Sequence, residues 1–531
     1  MPNDCITYQN SGYFSKLIVD YLDQKAELKT LYNRFPTLEN FKLQIEEKSK
    51  NFPIRNREIL VNALLNQHQK FEISEATSTN IELLKDSKTF TITTGHQLNL
   101  FTGPLYFLYK IISVINLTKE LKTAYPENNF VPVYWMATED HDFDEINFFN
   151  FKGNKVQWKK ESNGPVGRLN NSGLEEVFEQ FSNELGIGNN ANYLRELFKK
   201  SYLEHDNLAD ATRYLANELF KNEGLVILDG DDSELKKLFI PFAKNELIHQ
   251  TSFKKVNESL PLLKEYNVQV NPREINLFYI QDNLRERIVF ENGNYKINNT
   301  LLSFSESEIL TELEKNPENF SPNVILRPLY QEIILPNLCY IGGGGELAYW
   351  LELKSNFEAN TITFPILLLR NSVLVATKKQ VEKMERLNLN WADVFQNQQV
   401  LINEKTKAIS EFTIDFSEQK EFLKNQFKAL HEIANKTDKS FLGAVKAQEV
   451  KQLKGLDTLE KKLLKAEKRI HKERLERIIQ LQNELFPNQT LQERKSNFAD
   501  FYDEVNKFEA FFSLLNTHLQ PLKQNFNIVI I

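Results

Sequence analysis

Cysteine is nearly missing: Cys5 and Cys339 are the only two in 531 residues. That number is too small for a disulfide framework or a thiolate metal cage. Cys339 lies in the apolar run 338–341, where a buried small hydrophobe and a redox or nucleophilic thiol are both open readings. No apolar run approaches the roughly 20 residues that cross a bilayer, so no membrane partner is expected. The opening MPNDCITYQN has no basic stretch followed by an apolar one, so no secretory leader is expected and the cytoplasm is the expected location. Neither a Walker A sequence nor GxGxxG occurs, which excludes the standard phosphate loop and the dinucleotide fingerprint. A net charge of −7 argues against global nucleic-acid binding, although a local basic surface stays open. No internal repeat or low-complexity tract stands out.

What is present is enough apolar residue, 41%, for a large core. At roughly 100–200 residues per domain the length allows two to four units. Residues 1 to 85 read as helical, from Phe14, Leu17, Ile18 and Leu22 and again from Ile59, Leu60, Ala63 and Leu64. Residues 88–94 (KTFTITT) are short, β-branched and turn-bounded, which predicts a strand. Pro104 then suits the first turn of a helix running to about Leu121. Residues 130–136 (FVPVYWM) are apolar on both faces, as in a central strand of a parallel sheet. Three more candidate strands, 225–228, 338–341 and 364–369, share this form.

Two stretches break the alternation: a helical one with a short strand near 156–159, and one with hairpin pieces around the turn Asn292-Gly293-Asn294. The predicted organisation is α/β. N-terminal helices and the first half of a parallel-sheet core occupy 1–150, a helical insertion 151–222, and a core continuation 223–267. A second insertion occupies 268–335, core completion 336–385, and a helical coiled-coil region 386–531. Within the last, 418–434 and 441–485 read as an antiparallel helical hairpin, with Leu456, Leu459, Leu463, Ala466 and Ile470 at seam spacing. The stripe continues with shifted phase at Leu475, Ile478, Leu481 and Leu485. The basic helix 446–477 is read as a solvated face, with contact to a phosphate-bearing ligand or a partner chain as the other reading.

Ligands of open parallel sheets bind at the carboxyl ends of the strands. All five predicted strands end in polar or glycine-rich sequence: GHQ (95–97), TEDHDFDE (138–145), DGDD (229–232), GGGGE (342–346) and RNS (370–372). Gly95, His96 and Gln97, with Thr102 and Gly103, flank a strand–helix turn whose N–H groups suit phosphate or carboxylate. Gly342, Gly343, Gly344 and Gly345 read as a backbone-defined anion site or as a tight crossing. Glu139, Asp140, Asp142, Asp144 and Glu145 crowd around His141. Such repulsion needs relief from a metal such as Mg²⁺, a substrate amine or buried arginines. Arg327 and Arg370 suit a carboxylate or phosphate fork, or an internal ion pair.

The stretches TGHQLNLFTGPLYFLYKIIS (94–113), PVYWMATEDHDFDEIN (132–147), NVILRPLYQEIILPNLCYIGGGGELAYWLELK (323–354) and LQERKSNFADFY (491–502) resemble the bacillithiol biosynthesis cysteine-adding enzymes, the cysteine ligases. Members often carry Gln in place of His96 and a Pro within the glycine run. The resemblance implies a Rossmann-like core with two insertions and a coiled coil used for homodimerisation. It implies amide ligation of cysteine to glucosaminyl-malate, with ATP as co-substrate and Mg²⁺ a candidate ion. On that reading Gly95, His96, Gln97, Thr102, Gly103 and Gly342 to Gly345 serve the nucleotide or the activated carboxylate. Asp140, His141 and Asp142 hold and deprotonate the amine. Glu139, Asp144, Glu145, Arg327, Gln331, Glu346, Tyr349 and Arg370 contact the substrates. The competing readings are an aminoacyl or nucleotidyl transferase acting on another amine and a coiled-coil assembly protein of a thiol pathway.

Overall fold

The computed structural model describes residues 5–502 and 508–531; the first four residues, part of the opening read for a leader, and 503–507 in the expected helical tail lie outside the described residues. Contacts divide the chain into two units. The first is Met1–Leu374 with Gln492–Val529 and Ile531, and the second is Val375–Leu491 with Ile530. The expected coiled-coil region 386–531 is therefore cut differently: the second unit begins at Val375, and the stretch from Gln492 to Val529 packs with the first. Among the described residues no helix is long and apolar enough to cross a membrane.

In the first unit, α1 (Leu38–Asn51) and α2 (Ile54–His68) precede β1 (Thr89–His96), α3 (Tyr106–Ala124) and β2 (Asn129–Met136). The first insertion opens with a hairpin, β3 (Phe148–Phe151) and β4 (Asn154–Gln157), where one short strand was expected, and continues in helices. The core resumes with β5 (Val226–Asp229) and α4 (Ser233–His249). The second insertion is a five-stranded sheet of β6 (Leu277–Gln281), β7 (Leu284–Glu291), β8 (Asn294–Ile297), β9 (Ser303–Phe304) and β10 (Phe320–Pro322). The hairpins expected from the Asn-Gly turn are its centre. The core closes with α5 (Arg327–Ile334), β11 (Asn337–Gly342), α6 (Gly344–Trp350) and β12 (Ile366–Leu369).

The core sheet has the order β12-β11-β1-β2-β5, with every neighbour parallel. Each residue of β1 is buried, because helices cover both faces and β-branched side chains fill them. The chain leaves β1 toward β2 and β5 and later returns on the other side of β1 to lay down β11 and β12. The strand order thus reverses between β1 and β11, where an open α/β sheet leaves a crevice.

A buried polar network holds that crevice. Lys48 of α1 meets Glu332 of α5 at 2.8 Å, with side chains only 2% and 0% exposed. The other Glu332 oxygen accepts from Gln331 (3.0 Å) and Asn337 (2.6 Å), and Asn337 accepts from Thr91 and Thr93 of β1. One carboxylate therefore ties a helix from each part of the unit to both strands beside the crevice.

The helix expected from Pro104 starts at Tyr106. Ahead of it Phe101, Thr102 and Gly103 take positive φ of 47°, 67° and 61°. Packing holds this strain: the Phe101 ring lies among Phe149, Phe181, Phe198 and Phe498, and Asn497 donates to the carbonyls of Phe101 and Gly103.

In the second unit α7 (Ser417–Ala434) and α8 (Lys439–Ile470) form a helical hairpin. Lys420 reaches Asp457 and Glu460, while His431 reaches Glu449 further along α7 and earlier in α8, so the helices run antiparallel. The single helix expected over 441–485 is broken at His471, and α9 (Lys472–Leu485) follows. The break accounts for the shifted phase: Leu475, Ile478, Leu481 and Leu485 are buried on α9, while Leu459 and Ile470 of the expected seam are exposed.

Removing one partner of a buried ion pair strands the other, at a cost of about 3–5 kcal/mol. Lys48→Met should lower the stability of the first unit by that amount in urea unfolding. Lys48→Met with Glu332→Leu should recover most of it, and a double variant as unstable as the single one would contradict the pairing.

Candidate functional site

Two groups of opposite charge meet at the carboxyl edge of the sheet. The cationic one lines the crevice between β1 and β11. A Cβ at Gly95 would lie 3.3 Å from Tyr340 Oη and 3.8 Å from Arg327 Nη1, so glycine lets the guanidinium approach the strand. Arg327 donates to Gln331 (3.1 Å), sits 5.7 Å from the rings of Trp135 and Tyr340, and leaves buried Nη2 without a partner. Burial works against its charge, but Tyr349, Tyr340 and Glu346 keep it firmly protonated. A buried guanidinium nitrogen without a partner needs one, and an anion such as a carboxylate or phosphate suits it. Gln331 is fully buried between Arg327 and Glu332 and orients the arginine.

Glu346, read from sequence as a substrate contact, is engaged inside the protein. It meets Lys110 at 2.6 Å, accepts from Tyr340 (2.7 Å) and from the Gly343 N–H (2.8 Å), and so caps α6. Burial opposes its charge, but Lys110 together with the hydrogen bonds from Tyr340 and Gly343 holds the carboxyl below its usual range. Lys110 also donates to the Gly95 carbonyl at 2.8 Å. Arg370 pairs with Glu493 at 2.6 Å and stacks over Tyr106 at 5.0 Å, which realises the internal ion-pair reading; its Nε alone lacks a partner. His96 is buried against Tyr106 and Phe107, and burial with Lys110 and Arg370 nearby keeps it neutral.

The glycines divide by surroundings. A Cβ on Gly342 would strike Leu347 and Tyr340 at 2.9 Å, so this glycine serves a tight crossing. Gly343 faces Glu346 and Arg370 Nε, and nothing lies within 4 Å at Gly345. Gly103 packs on Asn99, where a Cβ would lie 2.6 Å away, and Thr102 is buried; both shape the strained turn.

The acidic group is the 139–145 loop after β2. Phe143 and Ile146 anchor it, the former against Trp158 at 5.1 Å. Two basic side chains from elsewhere relieve the repulsion: Lys236 of α4 pairs with Glu139, and Arg285 of β7 lies 2.5 Å from His141 Nδ1. Gln97 donates to Asp140 (3.0 Å) and Glu145 (2.9 Å), which joins the loop to the end of β1. For Asp140 burial disfavours charge, but hydrogen bonds from Gln97 and from the His141 backbone N–H and the charge of Arg285 hold it well below the usual carboxylate range. Asp142, Asp144 and Glu145 stay exposed beside a cavity of about 530 Å³ that Lys160 also lines. Asp140, His141 and Asp142 can each bring one ligand atom within 4.8 Å of the others. A metal there would displace bonds that Asp140 and His141 already make. The loop's charge is met first by lysine and arginine, with three carboxylates left to attract a further cation.

A larger cavity of about 960 Å³ opens at the end of β5, lined by Thr138, Arg168, Asp229, Asp231 and Asp282 among others. Arg168 grips Asp231 bidentately at 2.8 and 2.9 Å and Asp282 at 3.1 Å. Burial, then Asp231, pushes the Asp229 carboxyl up to about 6, against a hydrogen bond from Thr138.

The structure therefore joins Gly95, Gln97, Arg327, Gln331, Glu346, Tyr349 and the acidic loop at one sheet edge. Sequence reasoning missed Lys110, Arg168, Lys236, Arg285 and Glu493. A lone lysine inside the apolar helix FLYKIIS was a readable signal for Lys110. The others lie far along the chain from what they contact and carried none.

A family model described as "Bacillithiol biosynthesis BshC, N-terminal Rossmann-like domain" matches residues 1–371, and one described as "Bacillithiol biosynthesis BshC, C-terminal coiled-coil domain" matches residues 373–531. A relative from Flavobacterium johnsoniae is 67% identical over 100% of both chains. One from Flavobacterium psychrophilum is 65% identical over 100% of this chain and 99% of its own. One from Bacillus cereus is 29% identical over 92% and 95%. All three carry the name "Putative cysteine ligase BshC".

Asp229 gives a pH test. Its folded value of about 6 lies above the ordinary 3.8, so its protonated form favours the folded chain below about pH 4, and that advantage is lost as pH rises toward 6. Asp229→Asn cannot lose it. Its melting temperature relative to the native chain should climb between pH 4 and 6 and then level off; a flat or falling difference would contradict this.

Proposed function

The chain belongs to the bacillithiol biosynthesis BshC family, and from that membership we propose that it is a carbon–nitrogen ligase joining L-cysteine to glucosaminyl-malate, with ATP as co-substrate, in the last step of bacillithiol synthesis. The observation that supports this most is the pairing of opposite subsites: Arg327, whose Nη1 lies beside Gly95 and whose buried Nη2 lacks a partner, and the acidic loop bonded through Gln97 to the same strand end. An amide ligase must hold carboxylates and an amine together.

A free carboxylate does not form an amide with an amine in water, so it must be activated. ATP activates the cysteine carboxylate as an acyl phosphate or acyl adenylate: a carboxylate oxygen attacks the γ- or α-phosphorus, the phosphoanhydride P–O bond breaks, and ADP or pyrophosphate leaves, with Mg²⁺ a candidate to neutralise the phosphate charge. The glucosamine nitrogen then attacks the carbonyl carbon. The C–N bond forms, the C–O bond to the activating group breaks, that group leaves with the electron pair, and the surplus amine proton passes to the acidic loop. Arg327, oriented by Gln331 and Tyr349, takes a substrate carboxylate, and the open backbone at Gly345 faces the nucleotide. Lys110 and Glu346 hold the two strand ends at working distance.

The second unit carries the homodimer reading. Phe422, Ile433 and Leu459 of the hairpin are 68%, 58% and 55% exposed, and a second copy of the chain would cover them. Phe422→Glu with Ile433→Glu should shift the sedimentation coefficient from dimer to monomer; an unchanged coefficient would count against this surface.

The ligation test is mass spectrometry of the pure protein with cysteine, glucosaminyl-malate, ATP and Mg²⁺. The conjugate should form together with ADP or AMP. Arg327→Met and Asp140→Asn should each slow turnover by about 10²-fold, the scale of lost substrate positioning. Absence of conjugate from the native protein would sink the proposal.

A further inference from the structure

Arg285 lies in the second insertion, 144 positions from His141, yet its Nη1 sits 2.5 Å from the His141 Nδ1. The geometry around the contact is built. The Arg285 guanidinium lies 3.9 Å above the Phe278 ring, and the His141 ring packs on the same phenyl at 5.7 Å. The turn that presents Arg285 is clamped by the first insertion: a Cβ on Gly164 would lie 2.7 Å from the Leu284 nitrogen, and Arg168 holds Asp282. The guanidinium faces Glu139, Asp140 and Asp142, which favour its charge although burial opposes it.

Arginine carries five N–H donors and no acceptor. Its contact with a ring nitrogen is a hydrogen bond only where that nitrogen offers a lone pair. A protonated His141 would point a second N–H at the guanidinium and set two cations at contact distance, where their repulsion is large. We infer that Arg285 is a positioning residue that fixes His141 as the neutral tautomer with its proton on Nε2, so that His141 is a hydrogen-bond donor to bound substrate and not a general base.

This divides the work of the acidic loop. Asp140 is an anchor: one oxygen accepts from Gln97, and the other accepts from the backbone N–H of His141 at 2.7 Å. Asp142, exposed in the loop, is the carboxylate that receives the proton of an attacking amine. The tautomer stands on geometry: Asp140 Oδ1 lies 3.7 Å from His141 Nδ1, beyond hydrogen-bond distance, and accepts from the His141 backbone N–H instead, while Arg285 Nη1 is in contact at 2.5 Å; the division of roles rests on the ligase reading above.

The test uses the full-length protein with histidines selectively ¹⁵N-labelled, and His141→Gln to assign the signal. At neutral pH His141 should show a protonated Nε2 and an unprotonated Nδ1. Arg285→Lys, still a donor without an acceptor, should preserve that pattern, and Arg285→Ala should mix the tautomers. A protonated Nδ1, an averaged pair of nitrogens or an imidazolium in the native protein would overturn the assignment, with no variant needed. In the conjugate assay His141→Gln, which keeps an N–H but no base, should stay within about tenfold of native, whereas His141→Ala should fall further. Loss of a general base costs about 10²–10⁴-fold, so an equal collapse of both variants would overturn the donor role. Should the native protein form no conjugate, the ligase reading fails while the nitrogen spectra still decide the tautomer.

Discussion

The site depends on Glu332, a completely buried carboxyl that burial pushes above its usual range against the pull of Lys48, Asn337 and Gln331. A carboxylate in that position is tolerated only with a cation and hydrogen bonds around it. Lys48 supplies the cation, and Asn337 and Gln331 supply the bonds. The same requirement fixes geometry further out. Gln331, held by Glu332, offers its carbonyl oxygen to Arg327, which aims the arginine at the end of β1. Displacing Lys48 would loosen an arginine to which it makes no direct contact. Helix α1, remote from the crevice in sequence, is part of the apparatus for this reason.

The second organising fact is that the charges at the sheet edge are matched by residues from other elements. Five carboxylates and a histidine in seven consecutive positions cannot neutralise one another. Lys236 comes from α4, Arg285 from the second insertion and Gln97 from the end of β1. The two insertions meet over the carboxyl ends of β2 and β5, where Gly164 packs on the turn that carries Arg285 and Arg168 bridges Asp231 and Asp282. An insertion that looks dispensable to a parallel sheet is thus what makes the acidic loop tolerable.

Much of the fold was legible because it is written in local pattern. The five core strands appear where β-branched or fully apolar runs stand, within a residue or two of the expected limits, and all five end in polar sequence at one edge of a parallel sheet. The helical hairpin followed from long 3-4 spacing. The errors fall where tertiary contacts override that pattern. The helix after β1 starts late because Phe101 is pulled into an aromatic cluster and Asn497 binds its carbonyl. The C-terminal helix breaks at His471, a position with no proline or glycine to mark it.

The sequence by itself determined the class of fold, the sheet edge where the polar strand ends gather, the acidic loop and the family, since each rests on residues close together in the chain. Tertiary structure decided which charges face a ligand and which are used internally. Arg327 and Arg370 look alike in sequence, yet Arg370 is paired with the carboxylate of Glu493, whereas Arg327 donates to the neutral amide of Gln331. Glu346 looked like a substrate contact and is held by Lys110. His141 looked like a base, and its Nδ1 lies 2.5 Å from Arg285 Nη1. The physical reason is the same in each case: a charge acts through whatever lies within a few ångströms of it, and in this chain those neighbours are mostly far away along the sequence.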